Sequence, residues 1–141
     1  MHDAIINGAA QVNIMDFHAM ESLNLTPIGP STHSVIHDGS DTIPEGVIDN
    51  IPVDVGQVQI LITFHVLRLT DPRLSYSLIL GMPWMLAASA RLDVNENGRV
   101  VLKISQGDET IALTEQRRFS YTPIVIRREN AWKKLGFSRS E

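Results

Sequence analysis

Cysteine is missing from this chain of 141 residues, which excludes disulfides and thiolate metal sites. That agrees with a reducing compartment, and the expected setting is intracellular with the compartment left open. Long apolar runs are missing too. No stretch approaches the roughly 18 residues of a membrane span, and Met1 opens no signal-peptide pattern, so no membrane partner is expected. Glycine clusters are missing: the nine glycines fall in isolated turns, so no glycine-rich loop is present to cradle a phosphate. Ser75 and Ser77 lack a Gly-x-Ser-x-Gly context, which leaves a serine-hydrolase reading without support. Positive charge is scarce over most of the chain: residues 1–115 hold 5 Lys/Arg against 14 Asp/Glu.

What is present suits one domain with a modest core. The hydrophobic fraction is 43% and the charged fraction 20%, ordinary for a globular protein. Basic charge gathers at the end, where residues 116–141 hold 7 Lys/Arg against 2 Asp/Glu. The chain therefore divides into an acidic body, residues 1–115, and a basic C-terminal extension, residues 116–141. Such a tail docks on the body, contacts nucleic acid or solvates a terminal segment. Nucleic acid is the weakest of these readings, because only Phe119, Tyr121 and Trp132 are aromatic between Gln116 and Lys134 and no nucleic-acid motif accompanies them.

Periodicity predicts many short strands and two small helices. Strands are expected at residues 3–7, 12–15, 32–37, 47–55, 57–66, 76–80, 91–94, 100–104 and 110–113. The clearest is the fifth, where Val58, Ile60, Ile62, Phe64 and Val66 share one face while Gln59, Thr63 and His65 lie on the other. Asp16 stands at an N-cap position for a helix over residues 17–23, and Pro83 opens a second helix over residues 84–90. In the tail, residues 121–126 suit a strand and residues 130–135 a short helix. By itself this pattern says a mostly β barrel or sandwich.

The run Leu78-Ile79-Leu80-Gly81-Met82-Pro83-Trp84 is the most specific motif. An apolar strand meets a lone glycine, and Pro-Trp starts a helix. Upstream, an apolar strand leads into Asn7-Gly8-Ala9-Ala10-Gln11-Val12-Asn13-Ile14-Met15; the next helix ends in Leu23-Asn24-Leu25, and Asp38-Gly39-Ser40 with Gly46 bracket a turn region. In this order and approximate spacing the four landmarks resemble the retropepsin-like aspartic protease domain of Gypsy-type LTR retroelements. The likeness spans roughly residues 3–113, so the body is assigned as a retropepsin-like domain over 1–115, with the tail unmatched.

The resemblance implies a mostly β, retropepsin-like (acid protease) closed barrel with one or two short helices. It further implies a homodimer acting on an extended polypeptide, with no metal and no cofactor. Each protomer would supply one aspartate from an Asp-Ser/Thr-Gly loop, the two carboxylates sharing a proton to run general acid and base steps. Carried over residue by residue, Asn7, Gly8 and Ala9 fall on that loop. Ala10, Asp38, Gly39, Ser40, Ile79, Leu80 and Gly81 fall on substrate-binding positions. Asn7 thus stands where the aspartate is expected and Ala9 where the glycine is. A second register places Ile6 on the aspartate and keeps Gly8 as the glycine. Neither supplies a carboxylate, and an asparagine amide does not titrate near neutrality. An engineered Asp-to-Asn change and natural decay both remain open; the departure at Ala9 weighs toward decay.

Other candidates have plainer readings. Asp3 is a strand-end charge, Asp16 a helix cap and Asp38 a turn residue rather than replacement catalysts. His33 and His37 have the spacing of a helical metal pair but lie on an expected strand, where that spacing loses its meaning. Three function classes follow: a retroelement-derived aspartic endopeptidase, dead or impaired; a pseudoprotease that binds peptide by strand addition or dimerises; and an assembly module whose basic tail meets nucleic acid or another chain.

Overall fold

The computed structural model describes residues 3–31, 33–37, 39–69, 76–106, 109–113, 119–120 and 123–128. Asp38, the turn at Gly107-Asp108, residues 121–122 and the expected helix over 130–135 lie outside them. The six-stranded sheet runs in the order β11-β1-β7-β2-β6-β5. Its members are β1 (Ala4–Asn7), β2 (Ile14–Asp16), β5 (Gly46–Val55), β6 (Val58–Leu67), β7 (Leu78–Leu80) and β11 (Phe119–Ser120). A three-stranded antiparallel meander holds β8 (Ala90–Val94), β9 (Val100–Gln106) and β10 (Glu109–Leu113). A second three-stranded sheet joins β3 (His33–His37), β4 (Ser40–Thr42) and β12 (Ile124–Arg128). Two short helices complete the described residues, α1 (Phe17–Ser22) and α2 (Met82–Ala87).

The closed barrel expected from the resemblance is corrected here: no sheet closes on itself among the described residues. In the large sheet β5 and β11 are the two edges and do not pair. The core is enclosed by side chains meeting across three separate sheets, not by a continuous ring of backbone hydrogen bonds. Pro52 sits on the edge strand β5, where its missing N–H disturbs no inner ladder.

Alternation along the central strands divides the core in two. Met15, Val66 and Leu80 enter a cluster with Phe64, Trp84 and Leu102. Their neighbours Ile14, Leu67 and Ile79 enter a second cluster with Val12, Val35 and Ile124. Successive side chains on a strand point to opposite faces, so β2, β6 and β7 are covered on both sides. That explains why β7 reads as an unbroken apolar run.

Local chemistry fixes the connections. Gly56 and Gln57 both have positive φ, 57° and 70°, the geometry of a two-residue turn matching strand twist. Asp16 caps α1: its Oδ2 accepts from His18 N–H at 3.2 Å, and its Oδ1 accepts from Leu69 N–H at 2.9 Å. Asn24 closes that helix in the left-handed region at φ 56°, with Leu25 N–H donating to Met20 O at 3.1 Å. Helix α2 stops at Ala87, earlier than expected from sequence, because Ser89 turns left-handed at φ 50° and Ala90 enters β8.

Candidate functional site

Strand β1 is flanked by β7 and β11, both parallel to it, and it delivers Asn7 to the start of a tight loop. Asn7 is 2% exposed. Its Oδ1 accepts from Ala9 N–H at 2.9 Å, and its carbonyl accepts from Ala10 N–H at 3.1 Å. Ile6, one residue earlier, faces the opposite way into the main core. Gly8 has room beside it: an added Cβ would lie 3.6 Å from Leu92 and 3.8 Å from Met85, ordinary contact distances.

Gly81 locks this loop from beneath. Its N–H donates to Asn13 Oδ1 at 2.8 Å, and Met82 N–H donates to Ala10 O at 2.7 Å. A Cβ at position 81 would meet the Val12 carbonyl oxygen and come within 2.7 Å of Ala10 O, so only glycine permits the approach. Asn13 ties a third element in, its Nδ2 donating to Thr63 O at 3.3 Å on β6. The sequence motif includes Asn13 but assigns it no role. The available signal was a lone polar residue between Val12 and Ile14 that a buried strand would have to satisfy.

An extended segment of the chain covers the loop's other side. Ile124 N–H donates to Ala9 O at 3.2 Å, and Gln11 N–H donates to Ile124 O at 2.9 Å. Further along, Ile126 N–H donates to Gln11 Oε1 at 3.1 Å. The opposite edge of this segment, β12, runs antiparallel to β3, from Ile124 opposite His37 to Arg128 opposite His33. Ile124 is fully buried in the cluster holding Ala10, Val35 and Ile79. β3 in turn forms a hairpin with β4, where His37 faces Ser40 and Gly39 makes the turn at φ 75°.

The residues singled out from sequence are therefore gathered unevenly. Asn7, Gly8, Ala9, Ala10 and Gly81 form one loop assembly, and Ile79 lies beneath it on the Ile124 side. Gly39 and Ser40 belong to the hairpin across β12. Leu80 points into the main core beside Trp84, and Asp38 lies outside the described residues. His33 and His37 sit on β3, and among the described residues no group of three metal-ligating side chains occurs. No helix there is long and apolar enough to cross a membrane.

Titration is perturbed at one histidine. His65 on β6 is held below the usual imidazole range, first by burial and then by the nearby His33, whose ring meets it edge-on at 6.5 Å. A surface depression beside it is lined by Val12, Asn13, Leu61, Thr63, His65 and Pro83 among others. Asn7 and Ile124 do not line it.

A central β7 lies between β1 and β2 and is followed at once by a helix, and the likeness of this mostly β chain to a solved structure gives it a retropepsin-like fold. A solved structure with this architecture is the retroviral protease-like domain of Ddi1 from Leishmania major. It is 18% identical, aligns with a TM-score of 0.50, and the match covers 79% of this chain and 83% of that one. No family model and no curated protein matches the chain.

Proposed function

We propose that this chain is a retroelement-derived, retropepsin-like domain of the aspartic endopeptidase type whose acid–base chemistry is disabled because Asn7 stands at the catalytic aspartate position. One observation carries the reading: a buried polar side chain ends β1 and accepts the amide two residues on, in a loop clamped by Gly81. The register that places Asn7 on the aspartate is supported by Ile6 facing the core instead. Two protomers would meet at this loop, and with asparagine on both sides neither general acid nor general base is available. Loss of that chemistry alone removes about 10²–10⁴-fold in rate.

The test is to return the carboxylate. Asn7→Asp, alone and combined with Ala9→Gly, is assayed for hydrolysis of extended peptides between acid and neutral pH. Dimerisation is followed by light scattering. The expected result is cleavage by the variant dimer at least 100-fold above the parent protein. A folded dimer that stays inactive in both variants, also when Ile124→Asp is added to free the loop of its covering segment, refutes the proposal, and a strictly monomeric protein refutes its two-fold geometry.

A second reading is a pseudoprotease that binds peptide without cutting it. It is supported by β12, an extended segment held between the loop and β3 largely through backbone hydrogen bonds, the mode of strand addition. Nucleic-acid binding by the basic tail has no comparable support among the described residues.

A further inference from the structure

Resting on the peptide-groove reading, the geometry points to residues 123–128 as a tethered ligand: the chain fills its own peptide groove in cis, and a second peptide enters only when this segment leaves. Three features carry this. The first is the hydrogen bonding. Ile124 uses both its N–H and its carbonyl on the loop, with Ala9 O and Gln11 N–H. Ile126 N–H then engages the Gln11 side chain. These contacts read the backbone, so they accept any extended segment of suitable shape.

The second is the side-chain pattern. Ile124 points inward and is fully buried among Ala10, Val12, Val35 and Ile79. Val125 points outward and is 38% exposed. The groove therefore selects one aliphatic anchor and leaves its neighbour free. This is a peptide site for a β-branched or similar aliphatic residue flanked by extended backbone. Pro123 precedes the anchor and has no N–H to leave unpaired.

The third is position. Just before this segment, Ser120 on β11 lies opposite Asn7 in the parallel ladder. The tail thus runs alongside the strand bearing Asn7 and then enters the space between its loop and the β3–β4 hairpin. An occupant tethered within the same chain has an effective concentration on the order of millimolar. A free peptide with the same contacts must compete against it.

The test uses the full chain and a fluorescent peptide copying residues 119–128. Ile124→Asp removes the anchor from the resident segment while leaving the groove residues unchanged. Anisotropy titration is expected to show at least tenfold tighter peptide binding by Ile124→Asp than by the parent protein. Equal affinities overturn the proposal, as does absence of binding to a folded Ile124→Asp protein. Because the chain lacks cysteine, a second variant decides the matter even if Ile124→Asp fails to fold. Val125 pairs with Ile36 in the β12–β3 register, within the span a disulfide bridges. The double variant Ile36→Cys, Val125→Cys is expected to oxidise within one chain at micromolar concentration. A disulfide linking two chains, or none at all, overturns occupancy in cis. If Asn7→Asp stays inactive even when combined with Ile124→Asp while these results hold, the catalytic reading fails and the tethered segment stands. Restored cleavage with no change in peptide affinity does the opposite: the catalytic reading stands and the tethered segment fails.

Discussion

Replacing Gly81 with alanine isolates the contact on which the loop assembly depends. Its φ of −98° is open to any residue, so the cost is steric and not conformational. The new methyl would strike the Val12 carbonyl and lie 2.7 Å from Ala10 O. Relief requires the loop and β7 to part. Overpacking of this kind costs about 1–3 kcal/mol. Parting also weakens the bonds from Gly81 N–H to Asn13 Oδ1 and from Met82 N–H to Ala10 O. A buried polar group left without its partner costs about 1–3 kcal/mol. Together the expected loss is about 2–6 kcal/mol, a large share of the ~5–15 kcal/mol that holds a typical domain folded. Gly8→Ala is the control, since its methyl meets only ordinary contacts, and a change within about 0.5 kcal/mol is expected. Urea unfolding followed by circular dichroism reads both, with an unchanged m-value confirming that stability alone has moved. A Gly81→Ala loss below about 1 kcal/mol, or an equal loss at Gly8, would refute the argument.

Two further perturbations test the frame around the site. Asp16→Ala removes the α1 cap and the acceptor for Leu69 N–H; a loss of about 2 kcal/mol in urea unfolding is expected, and Asp16→Asn recovers only part of it, because its single amide oxygen accepts from one of the two N–H groups and its NH2 accepts from neither. His65 is depressed in the folded state, so folding favours its neutral form. That contribution is present above the unfolded imidazole value of about 6.5 and is lost as pH falls through the lower folded value. The urea midpoint should therefore drop less between pH 7.5 and pH 5 in His65→Gln than in the parent protein, and an equal drop in both would remove His65 as a cause.

The legible parts of the fold were those whose physics is local. β6 alternates because one face meets Phe64's neighbours in the core, and that alternation is written in consecutive residues from Val58 to Val66. The capping role of Asp16 and the start of α2 at Pro83 are equally local. Asn13 belongs to the sequence motif, yet its role is hidden there because its partners, Thr63 and Gly81, are distant in sequence, and its value appears only once three strands have met. The role of Gln11 is hidden for the same reason, its side chain being engaged by Ile126. β12 was expected as a strand, yet nothing in Pro123-Ile124-Val125-Ile126 says which edge it joins; its partners are set by the open edges of β3 and the loop. Closure into a barrel was not local either, since it depends on whether β5 reaches β11 across the core.

Asparagine at position 7 separates two duties that one aspartate would combine. Holding the loop requires an acceptor oxygen for Ala9 N–H, and an amide carbonyl offers it as well as a carboxylate does. Moving a proton requires a group that titrates, which the amide is not. A change from Asp to Asn therefore leaves the loop geometry supported while removing the chemistry. The reverse change is harder on the lone chain: a carboxylate at a position only 2% exposed costs free energy unless paired or protonated. Under the proposed reading, Asn7→Asp should destabilise the separated protomer and be tolerated best in the dimer, where two carboxylates share one proton. Urea unfolding across a range of protein concentrations measures this directly. A larger stability deficit for Asn7→Asp at low concentration than at high is the expected outcome, and a deficit independent of concentration would argue that the two loops never meet.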